Sequence, residues 1–199
     1  MSARIFPFDS SLLPEIVYLD TSFVWELYDP QTDPTRQAQC REFFNRLAQA
    51  EVIMVINSLV LQELRHVILM GVYRPEARSR RMSASQLFRQ DKSFMPSVIQ
   101  SIRQVESVID ANPQIARLPI QLYLVTDGVA ISLMETYDLD SADAYHVAIA
   151  YANRINSFVT LDRGFGSVDV LNLYTCDSVL LQEGSTTTEI LPFVNLNPS

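Results

Sequence analysis

Four carboxylates stand where an α/β fold could gather them. Asp20 directly follows the apolar, β-branched run Ile16–Leu19 (IVYLD). Glu63 lies beside a helical stripe made of Val60, Leu64, Val67 and Ile68. Asp143 falls in the first turn of a second helical segment, where Ala144, Val147, Ala148 and Tyr151 recur at i, i+3, i+4 and i+7. Asp162 follows the short apolar run 157–161 and precedes the turn Arg163-Gly164. In a parallel sheet, strand C-termini and the starts of the following helices share one edge. Glu63 reaches that edge if its helix face points toward the crevice. Carboxylates packed together raise one another's pKa, and a divalent cation removes the penalty. Hard oxygen ligands suit Mg²⁺ or Mn²⁺. Such a cluster is the usual equipment of metal-assisted phosphodiester hydrolysis. Each acid also has a plain structural reading. Asp143 suits any helix N-terminus, Asp162 suits a turn, and Glu63 alone reads as a surface acid. Thr160 favours a strand and Ser22 a turn. The conjunction of order, spacing and placement favours the chemical reading.

The elements that must position these acids can be read in turn. Residues 1–15 form an extension with little periodicity. Ile16–Leu19 is a buried strand, followed by an acidic turn and an aromatic helix through Tyr28. Asp33-Pro34 starts the next helix, with Asp as cap and Pro at the first position. Residues 52–56 (VIMVI) are a second buried strand, after which Asn57 or Ser58 caps a helix. Residues 71 to about 119 read as a helical arm of one or two helices, with apolar spacing through Val98, Ile102, Val105 and Ile109. The arm carries Arg74, Arg78, Arg80, Arg81, Arg89 and Lys92 against Glu76 and Asp91, so it is locally positive. Residues 120–125 (IQLYLV) are a third strand candidate, and Thr126 or Asp127 caps the helix after it. Asp140 caps the helix that carries Asp143, residues 157–161 form a strand, and residues 168–173 form a final edge strand. The tail, 183–199, holds a small apolar piece (ILPFVNL) able to dock on the body. Strands alternating with helices predict an α/β fold with a central, mostly parallel sheet covered on both faces. No repeat or domain boundary is visible, so 1–199 reads as a single domain with its core at about 16–173.

Composition narrows the function. The chain has 199 residues, enough for one substantial core. Its formal net charge of −8 disfavours non-specific phosphate binding unless cations or a local basic patch intervene. Only 5 glycines are present, which argues against a glycine-rich phosphate loop or a glycine-punctuated β-barrel. Lys92 is the sole lysine, and it sits in a polar stretch away from any strand end. A Walker-A lysine, a Schiff-base lysine and the lysine of a receiver domain are therefore all missing. Cys40 and Cys176 are too few for a disulfide scaffold and suggest a reducing cytoplasm. His66 and His146 lie inside helical patterns, where packing or capping is the expected role. No apolar run of about 18 residues exists, so no membrane span is expected.

The segments IVYLDTS, NSLVLQELRHVI, LDSADAYHVAIAYA and FVTLDRGF together resemble the signature of PIN-domain ribonucleases, VapC-type toxins in particular. The resemblance covers about 16–173 apart from the arm, which is longer than in compact members. It implies a three-layer α/β/α fold and Mg²⁺- or Mn²⁺-dependent endonuclease action on single-stranded RNA or tRNA. By position, Asp20, Glu63, Asp143 and Asp162 match the family's four acids. Ser22 and Thr160 match polar positions that order the first acid, a water or the metal. It further implies products with 3′-hydroxyl and 5′-phosphate ends, a homodimer, and an antitoxin protein whose tail fills the acidic cleft. Where many members carry a further acid, two residues after the fourth, this chain has Gly164, which weakens the case for a second metal. Arg74, Arg78, Arg80 and Arg81 would contact RNA phosphates if the arm borders the cleft. Two other readings remain: a weak or inactive PIN-like module that binds RNA or protein, and a structure-specific DNA nuclease of similar fold.

Overall fold

The structure, a computed structural model, describes residues 2–28, 32–118, 127–183, 185–186 and 189–193. Among these, seven strands form one sheet: β1 (Arg4–Pro7), β2 (Ile16–Leu19), β3 (Ile53–Ile56), β4 (Ile115–Arg117), β5 (Ser157–Val159), β6 (Asn172–Thr175) and β7 (Ser185–Thr186). Their spatial order is β4-β3-β2-β5-β6-β1-β7, and every neighbouring pair is parallel. The helices are α1 (Thr21–Tyr28), α2 (Pro34–Gln49), α3 (Ser58–Ser79), α4 (Ala84–Gln90), α5 (Met95–Asp110), α6 (Asp127–Tyr137), α7 (Ser141–Ala152) and α8 (Ser178–Glu183). They flank the sheet in the expected three-layer α/β/α arrangement.

From β2 the chain winds outward through β3 to β4. It returns on the other side of β2 as β5 and winds outward again through β6. The reversal falls between β2 and β5, where an open parallel sheet leaves a crevice at its strand C-termini. The register Leu19↔Val159 brings Asp20 and Thr160 side by side beyond that edge.

The central strands β2, β3 and β5 are buried along most of their length. Tyr18, Leu19, Met54, Ile56, Phe158 and Val159 are each 0% exposed, so apolar burial rather than alternation defines these strands. The caps are local. Asp33 accepts the Thr35 N–H at 2.8 Å, with Pro34 at the first helical position, and Asn57 accepts the Val60 N–H at 3.0 Å. Asp140 accepts the Asp143 N–H at 2.9 Å, as the sequence predicts.

Several expectations change. Residues 1–15 are not a loose extension, since β1 pairs with β6 from Arg4↔Asn172 to Pro7↔Thr175. The last strand starts at Asn172 rather than at 168, and β6 is interior, with β1 and β7 beyond it. No break in the chain marks the start of the arm at about 71. Helix α3 runs through Gly71 and Pro75 to Ser79, and the place a Gly71 side chain would take lies 3.8 Å from the Trp25 ring. Gly71 is thus an interior helix position facing α1, with room for a methyl group. Tyr73, Ala77, Leu87 and Val98 form a small separate core that joins α3, α4 and α5. The stretch read as arm also contains β4, a three-residue strand beside β3. The strand expected at 120–125 lies outside the described residues, as do Thr126 and much of the tail. Residues 189–193 do dock: Asn172 accepts the Leu191 N–H at 2.8 Å, and its Nδ2 donates to Leu191 O at 3.1 Å.

Candidate active site

Asp20 is 4% exposed and sits between β2 and α1. Its N–H donates to Val159 O at 3.0 Å, which ties the end of β2 to β5. Its Oδ2 accepts from Ser22 Oγ at 2.5 Å, Thr160 Oγ1 at 2.9 Å and the Ser22 N–H at 3.2 Å. The same hydroxyl oxygens also accept. Leu161 N–H donates to Ser22 Oγ and Asp162 N–H to Thr160 Oγ1, each at 2.9 Å. Ser22 and Thr160 therefore clamp the β2–α1 junction to the segment after β5. They fix one oxygen of a buried carboxylate that would otherwise be costly to hold.

Glu63 is held by a second set. Thr21 Oγ1 donates to its Oε2 at 2.6 Å, and His146 Nε2 lies 3.0 Å from the same oxygen. His146 Nδ1 is 2.6 Å from the Tyr18 hydroxyl. With neutral His146, Tyr18 donates to Nδ1 and Nε2–H donates to Glu63, so the buried ring has both nitrogens satisfied. Burial acts to raise the Glu63 carboxyl, but the His146 hydrogen bond and charge outweigh it and leave the group below its usual range. His146 answers in the opposite sense. Burial lowers it, and Glu63 with Asp20 and Asp143 raises it overall.

Asp143 is the perturbed acid. Burial, then the charges of Asp162, Asp140 and Asp20, push it from 3.8 to about 7. Asp162 caps the 3₁₀ turn Arg163–Ser167 by accepting the Gly164 N–H at 2.8 Å. A Cβ on Gly164 would stand 2.9 Å from Asp143 Oδ2 and 3.3 Å from Asp162 Oδ1. Glycine there lets the two carboxylates approach each other over bare backbone.

All four predicted acids line one open cleft of about 540 Å³, together with Asp140 and His66. Among the described residues, no three His, Cys, Asp or Glu groups converge into a ready-made metal cage. The donor set still fits a hard cation. Mg²⁺ keeps several waters and takes one or two carboxylates plus substrate phosphate, rather than a closed protein cage. A cation in this cleft would relieve the mutual repulsion that raises Asp143.

The predicted arginines behave differently from one another. Arg80 is engaged, with Nε 2.7 Å from Glu76 and Nη1 3.3 Å from Asp91. Arg78 and Arg81 are exposed and do not line the acidic cleft. Arg74 lines an adjoining groove of about 370 Å³ with Tyr28, Val105 and Trp25, and Trp25 also borders the acidic cleft. Sequence reasoning missed the roles of Tyr18, Thr21 and His146. Two of these had a signal. Tyr18 and Asp20 are i and i+2 in an extended segment, and Asp143 and His146 are one helical turn apart, so each pair shares a face. Thr21 had none.

The profile of the PIN domain matches residues 17–171. The chain belongs to the PIN domain family. PIN domains are in general nucleases, and the acidic cleft lies inside the matched segment. No curated protein matches this PIN domain. Two solved structures are similar to it. One is VapBC2 from Rickettsia felis bound to a DNA fragment from their promoter, at 15% identity over 80% of this chain and 98% of that one, with a TM-score of 0.49. The other is FitAcB from Neisseria gonorrhoeae, at 16% identity over 79% of this chain and 96% of that one, with a TM-score of 0.42. No helix among the described residues is long and apolar enough to cross a membrane.

Proposed function

We propose that this PIN domain is a Mg²⁺- or Mn²⁺-dependent endoribonuclease that hydrolyses single-stranded RNA or tRNA, and the toxin of a toxin–antitoxin pair. The observation that carries the reading is the cleft itself. Asp20, Glu63, Asp143 and Asp162 share one open crevice, and burial, with the charges of Asp162, Asp140 and Asp20 added to it, pushes Asp143 up to about 7. A structural role does not call for such repulsion, whereas cation binding does.

Asp20, Asp143 and Asp162, with Glu63 opposite, would hold the ion. A bound divalent ion supplies water activation and neutralises charge on the scissile phosphate. The chain's own residues do the rest. Ser22 and Thr160 aim one oxygen of Asp20 and leave the other available. His146 and Thr21 do the same for Glu63 through a single oxygen, Oε2. Asp143, which without an ion keeps its proton up to about 7, would exchange that proton for the cation on binding. In-line displacement would leave 3′-hydroxyl and 5′-phosphate ends. Arg74 and Trp25, on the groove that continues the cleft, are suited to a phosphate and a stacked base of the substrate strand.

A partner is part of the proposal. The sequence resemblance to VapC-type toxins supports a homodimer and a small antitoxin whose tail blocks the cleft. The test is cleavage of a mixed pool of tRNA and unstructured RNA with Mg²⁺, Mn²⁺ or EDTA, with Asp143→Asn alongside. Metal-dependent cutting that is lost in the variant is expected. Cutting that survives the substitution would overturn the assignment. Cleavage confined to flapped DNA duplexes would transfer the same site to a DNA nuclease.

A further inference from the structure

Helices α1, α3 and α5 bound a groove of about 370 Å³ beside the acidic cleft, a size within the about 300–1,000 Å³ of ligand sites. Both α1 and α5 pack on α3, and each turns one face inward at helical spacing. Trp25 and Tyr28, at i and i+3 of α1, form an aromatic wall. Ser101 and Gln104, at i and i+3 of α5, put a hydroxyl and an amide on the wall across from it. The floor is low at Gly71, where a Cβ would meet only the Trp25 ring within 4 Å, at 3.8 Å and 3.9 Å. Arg74 lines the groove and is exposed. It joins no ion pair among the described residues, whereas Arg65 holds Glu106 and Arg80 holds Glu76. Trp25 lines both the groove and the acidic cleft, so the two spaces adjoin. The aromatic wall offers a face for stacking. The amide and hydroxyl offer donors and acceptors to a base edge. Arg74 offers an unpaired cation to a phosphate in a chain of net charge −8. A wholly apolar occupant would cover Arg74 and Gln104 without partners.

We propose that this groove is a nucleobase pocket that sets the sequence preference for the strand cut in the acidic cleft. The proposal rests on the nuclease reading for its substrate and adds where the sequence is read. One base, unstacked from its neighbours, lies on Trp25 between α1 and α5, and Tyr28 extends the aromatic wall. Gln104 and Ser101 meet the edge of that base. Arg74 holds a phosphate of the same strand, which continues past Trp25 to the four acids. Contacts to phosphate position a strand but carry no sequence information. The acids, which act on cation and phosphate, are of that kind. The groove supplies what they lack.

Trp25 is the sole tryptophan, so intrinsic fluorescence reports on the groove directly. The test is titration of the full chain, in EDTA, with RNA trinucleotides of each of the four bases and with an abasic trinucleotide. Saturable quenching is expected, with the best base bound roughly tenfold or more tightly than the weakest. The abasic strand should not quench. Gly71→Leu keeps a good helix former in α3 and fills the floor, so it should weaken binding by roughly tenfold. Gly71→Ala, whose methyl stands at ordinary contact distance from Trp25, should bind as the wild type does. Gln104→Ala should flatten the preference among bases and, in the cleavage assay, spread cutting over more sequences. No quenching by any trinucleotide, equal affinity for all four bases, or equal quenching by the abasic strand would each overturn the proposal. Tighter binding of an amphipathic helical peptide would overturn it too, by giving the groove to a protein partner. The wild-type titration decides the matter even if Gly71→Leu fails to fold. The two readings fail separately. Metal-dependent cutting without base-selective quenching removes the pocket alone, and quenching without cutting removes the nuclease alone.

Discussion

Replacing Asp143 by Asn should make the metal-free protein more stable at pH 8 while removing its cleavage activity. In the folded chain Asp143 holds its proton up to about 7, against 3.8 ordinarily. A difference of that size is worth roughly 4 kcal/mol between protonation states at full strength. The carboxyl is partly open to solvent in the cleft, so screening reduces the effect to about 1–2 kcal/mol. The first turn of α7 favours a negative charge by some tenths of a kcal/mol, which acts against the gain without cancelling it. The sign follows from the raised pKa. The folded chain binds the proton more tightly than the unfolded chain does. Stability from this group is complete below 3.8 and is lost as pH rises through about 7. Asn, which never ionises, escapes the loss. Urea unfolding of both proteins in EDTA at pH 4.5, 6 and 8 measures it. The Asn variant should be about equal at pH 4.5 and lead at pH 8, with a melting temperature about 3–6 °C higher. Added Mn²⁺ should then stabilise the wild type more than the variant. A variant no more stable than wild type at pH 8, or one with the same advantage at pH 4.5, would refute the crowded-carboxylate account.

Thr160→Val should cost about 1–3 kcal/mol in chemical denaturation, since it removes a donor to the buried Asp20 and an acceptor for Asp162 N–H. It should also weaken Mn²⁺ binding by calorimetry. Tyr18→Phe leaves His146 Nδ1 without its 2.6 Å partner, so stability should fall by about 1–2 kcal/mol. Restoring the hydroxyl should recover it, and the histidine ring NMR shifts should report the change. Gly164→Ala places a methyl 2.9 Å from Asp143 Oδ2. Because an adjoining group re-aims the acid, Mn²⁺ affinity should drop by roughly tenfold with little change in melting temperature.

The site was more legible than the frame around it. Asp20 could be placed because an acid after IVYL has few other uses, and Asp143 because Asp140 caps its helix. Glu63 needed its resemblance, since nothing in the local pattern shows that α3 turns that face to the crevice. Strand β1 was invisible because RIFP is too short to show a period and its partner is Asn172, far along the chain. Strand β4 was hidden for the same reason, with only Ile115 apolar enough to mark it among IAR. The continuity of α3 through Gly71 into the arm was not legible, because Gly71 and Pro75 both weaken the local helical pattern. The His146 contacts belong to tertiary structure and could be only half anticipated from spacing.

The sheet order has a consequence for the birth of the molecule. Strand β1 pairs with β6 and β7, so its partners are made last. The four acids are spread from 20 to 162, and the two on either side of the switch point meet only when β5 joins β2. A chain still leaving the ribosome can therefore assemble α1, α2 and α3 around β2 and β3 but has no complete acidic cleft. Such distant pairing is slow and comes late in folding. The acidic cleft of this PIN domain is therefore complete only once synthesis has passed Asp162.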